Sequence, residues 1–176
     1  PTAFKDILIE ELIKAIQQFY GKDAASTEGY GKIINSKQWS RLVQYFNDGK
    51  IVYGGKSDAA TLFIEPTILT DIKADAKVMQ DEIFGPILPI ISYQNEDEIE
   101  SIINRFEKPL SLYVFSKNSQ WAKKITTKFA FGGGCINDTI VHFSNNRLPF
   151  GGVGNSGIGA YHGQRSFDLF SHKKAL

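Results

Sequence analysis

Three observations predict an α/β fold built on a parallel sheet. Between residues 87 and 136, strand-like apolar runs alternate with amphipathic helical runs in the order strand, helix, strand, helix, strand. The connections are short, and such alternation sets successive strands parallel with helices crossing between them. The run LSLYVFS (110–116) is apolar nearly throughout, as strands buried on both faces are.

Taken in order, Thr2 is placed to cap a first helix whose stripe runs Phe4, Leu8, Leu12, Ile16 and Phe19, with Gly21 as its stop. Ser36 opens a second helix carrying Trp39, Leu42, Val43 and Phe46, ended by Gly49. KIVYGG (50–55) reads as a short strand, and TLFIEPTIL (61–69) as a strand demoted towards an edge by Pro66. ILPIISY (87–93) starts the central alternation. Asn95 and Glu98 make a capping box, and Glu96 and Asp97 suit the positive end of the helix dipole. That helix shows Ile99, Ile102, Ile103 and Phe106 at helical spacing. A further helix carries Trp121, Ile125 and Phe129, and GGGCIN (132–137) is the third strand of the series. Residues 138–159 have no period of either kind. So long a Gly- and Asn-rich loop inside a compact domain is functional rather than idle. The tail, 161–176, reads as a short helix and a final strand.

A length of 176 residues suits one domain with a proper core. Twenty Lys and Arg against 19 Asp and Glu leave a formal charge of +1, which makes no electrostatic case for nucleic acid or an anionic membrane. No apolar run spans a bilayer and no signal-peptide pattern opens the chain. A single cysteine rules out an internal disulfide framework and fits a reducing, cytoplasmic setting. Pro1 either follows a removed initiator Met or begins an excised fragment.

Residues 148–163, LPFGGVGNSGIGAYHG, contain a letter-for-letter G-x-G-x-x-G at Gly152, Gly154 and Gly157. A dinucleotide turn needs a strand before it, a helix after it and a returning strand ending in an acid. Pro149 argues against that strand, too little chain follows, and Asp168 comes too early. The match is a decoy. Its glycines serve a tight loop whose backbone passes close to something bulky, protein or ligand.

Cys135 invites a nucleophile with His142 as base, but its place in a strand pattern beside Ile136 favours a buried structural thiol. The three histidines are far apart and no carboxylate cluster accompanies them, so no metal site is expected. His142 and His162 flank the long loop, as pocket residues or as ordinary packed ones. In MQDEIFGPILPI (79–90), Gly85-Pro86 forces a turn before a strand and so fixes where Glu82 and Phe84 point. They suit a sugar hydroxyl and a flat ring; the alternative is an exposed acid and a core Phe.

Together, DEIFGPILPI, GGGCINDTIVH and LPFGGVGNSGIGAYHGQRSFDLFSH resemble the aldehyde dehydrogenase superfamily, and most closely its class 3 branch of fatty and aromatic aldehyde dehydrogenases. The resemblance runs from KDILIEELIKAIQQFYG to the end. It implies a Rossmann-like parallel-sheet part of the catalytic domain over residues 1–160, then a C-terminal helix and the start of a bridging, oligomerising strand over 161–176. It implies that Glu82 holds the nicotinamide ribose of NAD or NADP, that Phe84 packs by the nicotinamide, and that Ile140, Phe143, Phe150 and His162 line the aldehyde tunnel. A homodimeric parent is implied too. The family's G-Q-x-C nucleophile, general-base Glu, oxyanion Asn and nucleotide-binding domain match nothing in these residues, so no catalytic residue is assigned here. The chain alone is expected to be inactive. The competing expectation is a truncated, non-catalytic module kept for assembly or binding.

Overall fold

The computed structural model describes residues 1–73 and 75–175. The chain divides into two compact units, Pro1–Ile103 and Asn104–Leu176. The fold is α/β with parallel strand pairs and helices, as the alternation predicts.

In the first unit, α1 (Lys5–Tyr20) ends at Gly21, whose φ of 68° is left-handed backbone that favours glycine. Thr2 does not cap it: a 3₁₀ turn intervenes, and the Thr2 hydroxyl donates to Tyr93 O instead. The inward stripe is also rotated from the predicted one. Ile9, Leu12, Ile13, Ile16 and Tyr20 are half-buried, whereas Phe4, Leu8 and Phe19 are exposed. Apolar residues cover two overlapping stripes of this helix, so periodicity alone does not choose between them. Tyr20 settles the rotation by packing edge-on against Tyr30, 5.0 Å between centroids.

Helix α2 (Ser36–Gln44) is capped by Asn35, which accepts from Gln38 N at 2.9 Å. Its inward residues enter a core of Leu42, Tyr45, Ile64, Leu69, Val78 and Ile87, ringed by Trp39, Val43 and Phe46. Trp39 is kept satisfied in that apolar setting by donating Nε1–H to Phe63 O at 2.9 Å.

Strands β1 (Lys50–Tyr53), β4 (Thr67–Thr70) and β5 (Ile87–Pro89) form one sheet in the order β1-β4-β5, with β1/β4 antiparallel and β4/β5 parallel. The short strands β2 (Ser57–Asp58) and β3 (Phe63–Ile64) pair separately. Pro66 does not make β4 an edge. β4 is central and wholly buried; Pro66 stands one residue ahead of it, and the ladder begins with Thr67 N donating to Pro86 O at 2.8 Å. The proline carried on an edge strand is Pro89 in β5, where a missing N–H is tolerated. β5 is also shorter than the predicted 87–93.

Helix α3 (Glu96–Ile103) has the predicted capping interaction, with Glu98 N donating to Asn95 Oδ1 at 3.1 Å. The Glu98 carboxylate reaches one residue further back than expected, accepting from Gln94 N at 2.8 Å.

In the second unit, β6 (Ser111–Val114) and β7 (Gly133–Ile136) pair in parallel around α4 (Ser119–Lys128). Val114, Ala122 and Ile125 form the core, and Asn118 caps α4 through Trp121 N at 3.0 Å. The predicted single run of three parallel strands is corrected in two ways. β5 takes β4 as its partner, and β6 is mostly half-buried rather than buried on both faces. Strand order follows hydrogen-bond pairing, which an apolar run does not encode. Helices α5 (Val141–Ser144) and α6 (Gly163–Leu169) follow. The predicted final strand is absent from residues 171–175, because no described segment runs alongside them to form a ladder.

Candidate functional site

The turn ahead of β5 is built around residues 82–86. Phe84 has φ 48°, a left-handed conformation that costs a bulky residue about 1–2 kcal/mol. The residue is 77% exposed, which removes the core-Phe alternative. Glu82 is exposed as well, and its carboxylate has no hydrogen-bond or ion-pair partner among the described residues. Glu82 and Phe84 thus share one turn, with a free acceptor and a presented ring. Beside Phe84 lies a groove of about 480 Å³ whose walls include Ile33, Ile34, Gln38 and Arg41.

Within the second unit, three of the four predicted tunnel residues come together. The Phe143 and Phe150 rings meet edge-on at 4.9 Å, and His162 lies 6.0 Å from Phe143 and 6.3 Å from Phe150. Phe150 is placed by paired main-chain bonds with Tyr161, 2.9 Å in each direction. His162 has φ 81° and heads α6, its N–H donating to Ser166 Oγ at 2.8 Å. Its Nδ1 is buried with no partner among the described residues. Ile140 stands at φ 63° as the residue on which α5 starts. For a β-branched side chain this is a genuine outlier.

Strain of this kind is confined to few places. Among the described residues, Leu62, Asp71, Phe84, Asn137, Ile140 and His162 alone combine a side chain with positive φ. Three of them are residues singled out from the sequence. Such conformations persist only when the surroundings over-determine them, and they cluster at functional sites.

Further contributors lie outside the residues assigned from the sequence to the cofactor or the aldehyde. Tyr161 joins the cluster by packing against His162 at 4.4 Å. Asn137 clamps the ends of β6 and β7 together, donating Nδ2–H to Ser116 O at 3.0 Å and accepting from Ser116 N at 2.8 Å. The Asn of "IND" marks its place, but the clamp needs a partner across the sheet. His142 is buried between Tyr113 and Phe150, with Nδ1 3.7 Å from Cys135 Sγ. The thiol and imidazole are therefore neighbours, on β7 and α5.

The G-x-G-x-x-G stretch has neither a strand before it nor a helix directly after it. Gly154–Ser156 is a 3₁₀ turn closed by Val153 N donating to Ser156 Oγ at 2.8 Å. The bulky neighbour its glycines accommodate is the loop itself: a Cβ on Gly152 would lie 2.2 Å from Ser156 main chain. No cluster of three metal-ligating side chains occurs among the described residues, and no helix among them is long and apolar enough to cross a membrane.

Residues 2–176 match the model of the aldehyde dehydrogenase family. The chain is 49% identical over 165 residues to the dimeric NADP-preferring aldehyde dehydrogenase of Canis lupus familiaris, covering 94% of this chain and 36% of that protein. It is 48% identical over 173 residues to aldehyde dehydrogenase family 3 member A2 of Mus musculus, covering 98% and 36%. The solved substrate-bound state of Staphylococcus aureus AldH superposes with a TM-score of 0.92 at 47% identity, over 98% of this chain and 38% of that one. The chain spans little more than a third of the length of these relatives.

Proposed function

Because the chain belongs to the aldehyde dehydrogenase family, we propose that it supplies the cofactor-facing turn and the aldehyde-facing loops of an NAD(P)-dependent enzyme that oxidises aldehydes to carboxylic acids. In this reading residues 1–160 are the C-terminal part of the catalytic domain. Residues 161–176 begin a bridging tail, and the parent is a cytoplasmic homodimer.

The observation that carries the proposal is the strained, exposed turn at Glu82 and Phe84. An ionised carboxylate only accepts hydrogen bonds, and its two oxygens match the two hydroxyl donors of a ribose diol. A ring held clear of the core offers its face to a flat heterocycle. When bound, NAD(P)+ supplies the hydride acceptor. Glu82 and Phe84 hold and orient it without exchanging a proton.

Ile140, Phe143, Phe150 and His162 form the aldehyde side. Their apolar surfaces receive the substrate's carbon skeleton and exclude water. The thiolate that attacks the aldehyde, with its base, belongs to the parent outside these 176 residues. Cys135 serves as a packed thiol against His142.

Glu82→Gln in the parent enzyme tests the assignment, because small misplacements of reacting groups are costly in rate. It should slow the pre-steady-state formation of NAD(P)H while leaving the fold intact. An unchanged burst rate would remove Glu82 from the site.

A further inference from the structure

We propose that Arg41 is a positioning residue that holds the Glu82–Phe84 turn in its strained conformation and so sets where the carboxylate and the ring point. The proposal rests on the reading of that turn as the cofactor's nicotinamide-end support.

Arg41 lies on α2, and its guanidinium spreads over the main chain of the turn. Nη2 donates to Ile83 O at 2.7 Å, and Nη1 lies 3.4 Å from Glu82 O. The guanidinium is itself held from both sides, by a residue of α2 and by the residue that caps its C-terminus. Nε donates to Gln38 Oε1 at 2.8 Å, and Nη1 donates to Tyr45 Oη at 2.6 Å, one turn either way. Tyr45 is almost fully buried, and its ring centroid lies 5.5 Å from the Arg41 Cζ, so the fork is anchored to the core.

The adjacent residue of α2 holds the turn from a second direction. Leu42 is fully buried directly beneath Gly85, where an added Cβ would lie 2.6 Å from Leu42 Cδ1. Two consecutive residues of one helix therefore press on the turn between them, Leu42 against Gly85 and Arg41 on the carbonyls of residues 82 and 83. Phe84 keeps its φ of 48° next to these contacts. That is the over-determination a strained residue requires.

Arg41 has no carboxylate partner among the described residues; its charge is directed at neutral acceptors. A rigid planar fork can serve two main-chain oxygens, a phenol and an amide at once. A lysine ammonium, a single point on a flexible stem, cannot reproduce that geometry.

The test compares Arg41→Met, Arg41→Lys, Glu82→Gln and the Arg41→Met/Glu82→Gln double variant in the full-length parent dehydrogenase. The readouts are single-turnover hydride transfer, KM for the aldehyde, calorimetric NAD+ affinity, and the conformation of residues 82–85 in cofactor-free crystal structures. Arg41→Met should slow hydride transfer roughly 10- to 100-fold, the scale of a small misplacement at the reacting centre, with KM for the aldehyde unchanged. NAD+ should bind more weakly, and residues 82–85 should depart from the conformation of the unsubstituted enzyme. Arg41→Lys should recover only part of the rate. In the Glu82→Gln background Arg41→Met should cost little more, since both act through one turn.

Full rescue by Lys, or an additive loss in the double variant, would overturn the proposal. So would an unmoved turn and unchanged hydride transfer in Arg41→Met alongside a slowed Glu82→Gln, and that pattern would leave the reading of the turn standing. A Glu82→Gln enzyme with no defect would remove the reading itself and the proposal with it. Should Arg41→Met fail to fold, Arg41→Lys decides through the same readouts.

Discussion

Phe84 and Tyr30 show opposite uses of an aromatic ring in this chain. Phe84 spends conformational strain to keep its ring in solvent, whereas Tyr30 is drawn into the fold. Replacing Phe84 with Gly should therefore change stability by no more than ~1 kcal/mol, since relieved strain offsets the added freedom of the unfolded chain and little burial is lost. The same change should slow hydride transfer in the parent enzyme. A large loss in denaturant midpoint would show instead that the ring supports the fold.

Tyr30 donates its hydroxyl to Ile64 O at 2.8 Å, and its pKa is pushed up from 10.0 to about 12, first by burial and then by the nearby Tyr20 and Glu65. A raised folded pKa means that the fold favours the neutral phenol. Its contribution to stability is complete below pH 10 and is lost as pH rises through about 12. Tyr30→Phe should cost about 1 kcal/mol at neutral pH through the lost hydrogen bond and flatten the alkaline decline between those limits. Urea midpoints measured across that range check this; parallel declines in the two proteins would contradict it.

At the scale of elements, legibility followed locality. Capping of α3 and the β6–α4–β7 unit were readable because side-chain period and caps lie within a few residues of one another. The rotation of α1, the central place of β4 and the partner of β5 were not, because each depends on residues far away in sequence. Tyr30 sets the first, and Pro86 and Leu69 the others. The same rule divides the candidate site. Glu82, Phe84 and the loop aromatics stand in recognisable motifs, whereas Arg41 and Asn137 act on partners that no local pattern announces. Phe143 sits on α5 and Phe150 on a bridged segment, so the two rings form one wall from two elements. Ala at either position should lower kcat/KM for bulky aldehydes more than for acetaldehyde, since the lost contact area scales with the substrate. A uniform loss across aldehyde sizes would indicate a folding defect.

At the scale of the whole molecule, each compact unit carries one part of the proposed chemistry: the Glu82–Phe84 turn in the first, the aromatic cluster in the second. Among the described residues, the G-x-G-x-x-G stretch lies outside the strand–turn–helix setting that a dinucleotide turn requires. The one thiol, Cys135, sits on β7 with Sγ 3.7 Å from His142 Nδ1, whereas the proposed nucleophile belongs to the parent outside these residues. The account therefore separates two preparations sharply. Aldehyde-dependent NAD(P)H formation should be followed for the purified 176-residue chain and for the parent protein that contains it. The parent should turn over, and the chain alone should neither turn over nor bind NAD+ in the micromolar range. Turnover by the chain alone that Cys135→Ser abolishes would contradict the account and make Cys135 the nucleophile.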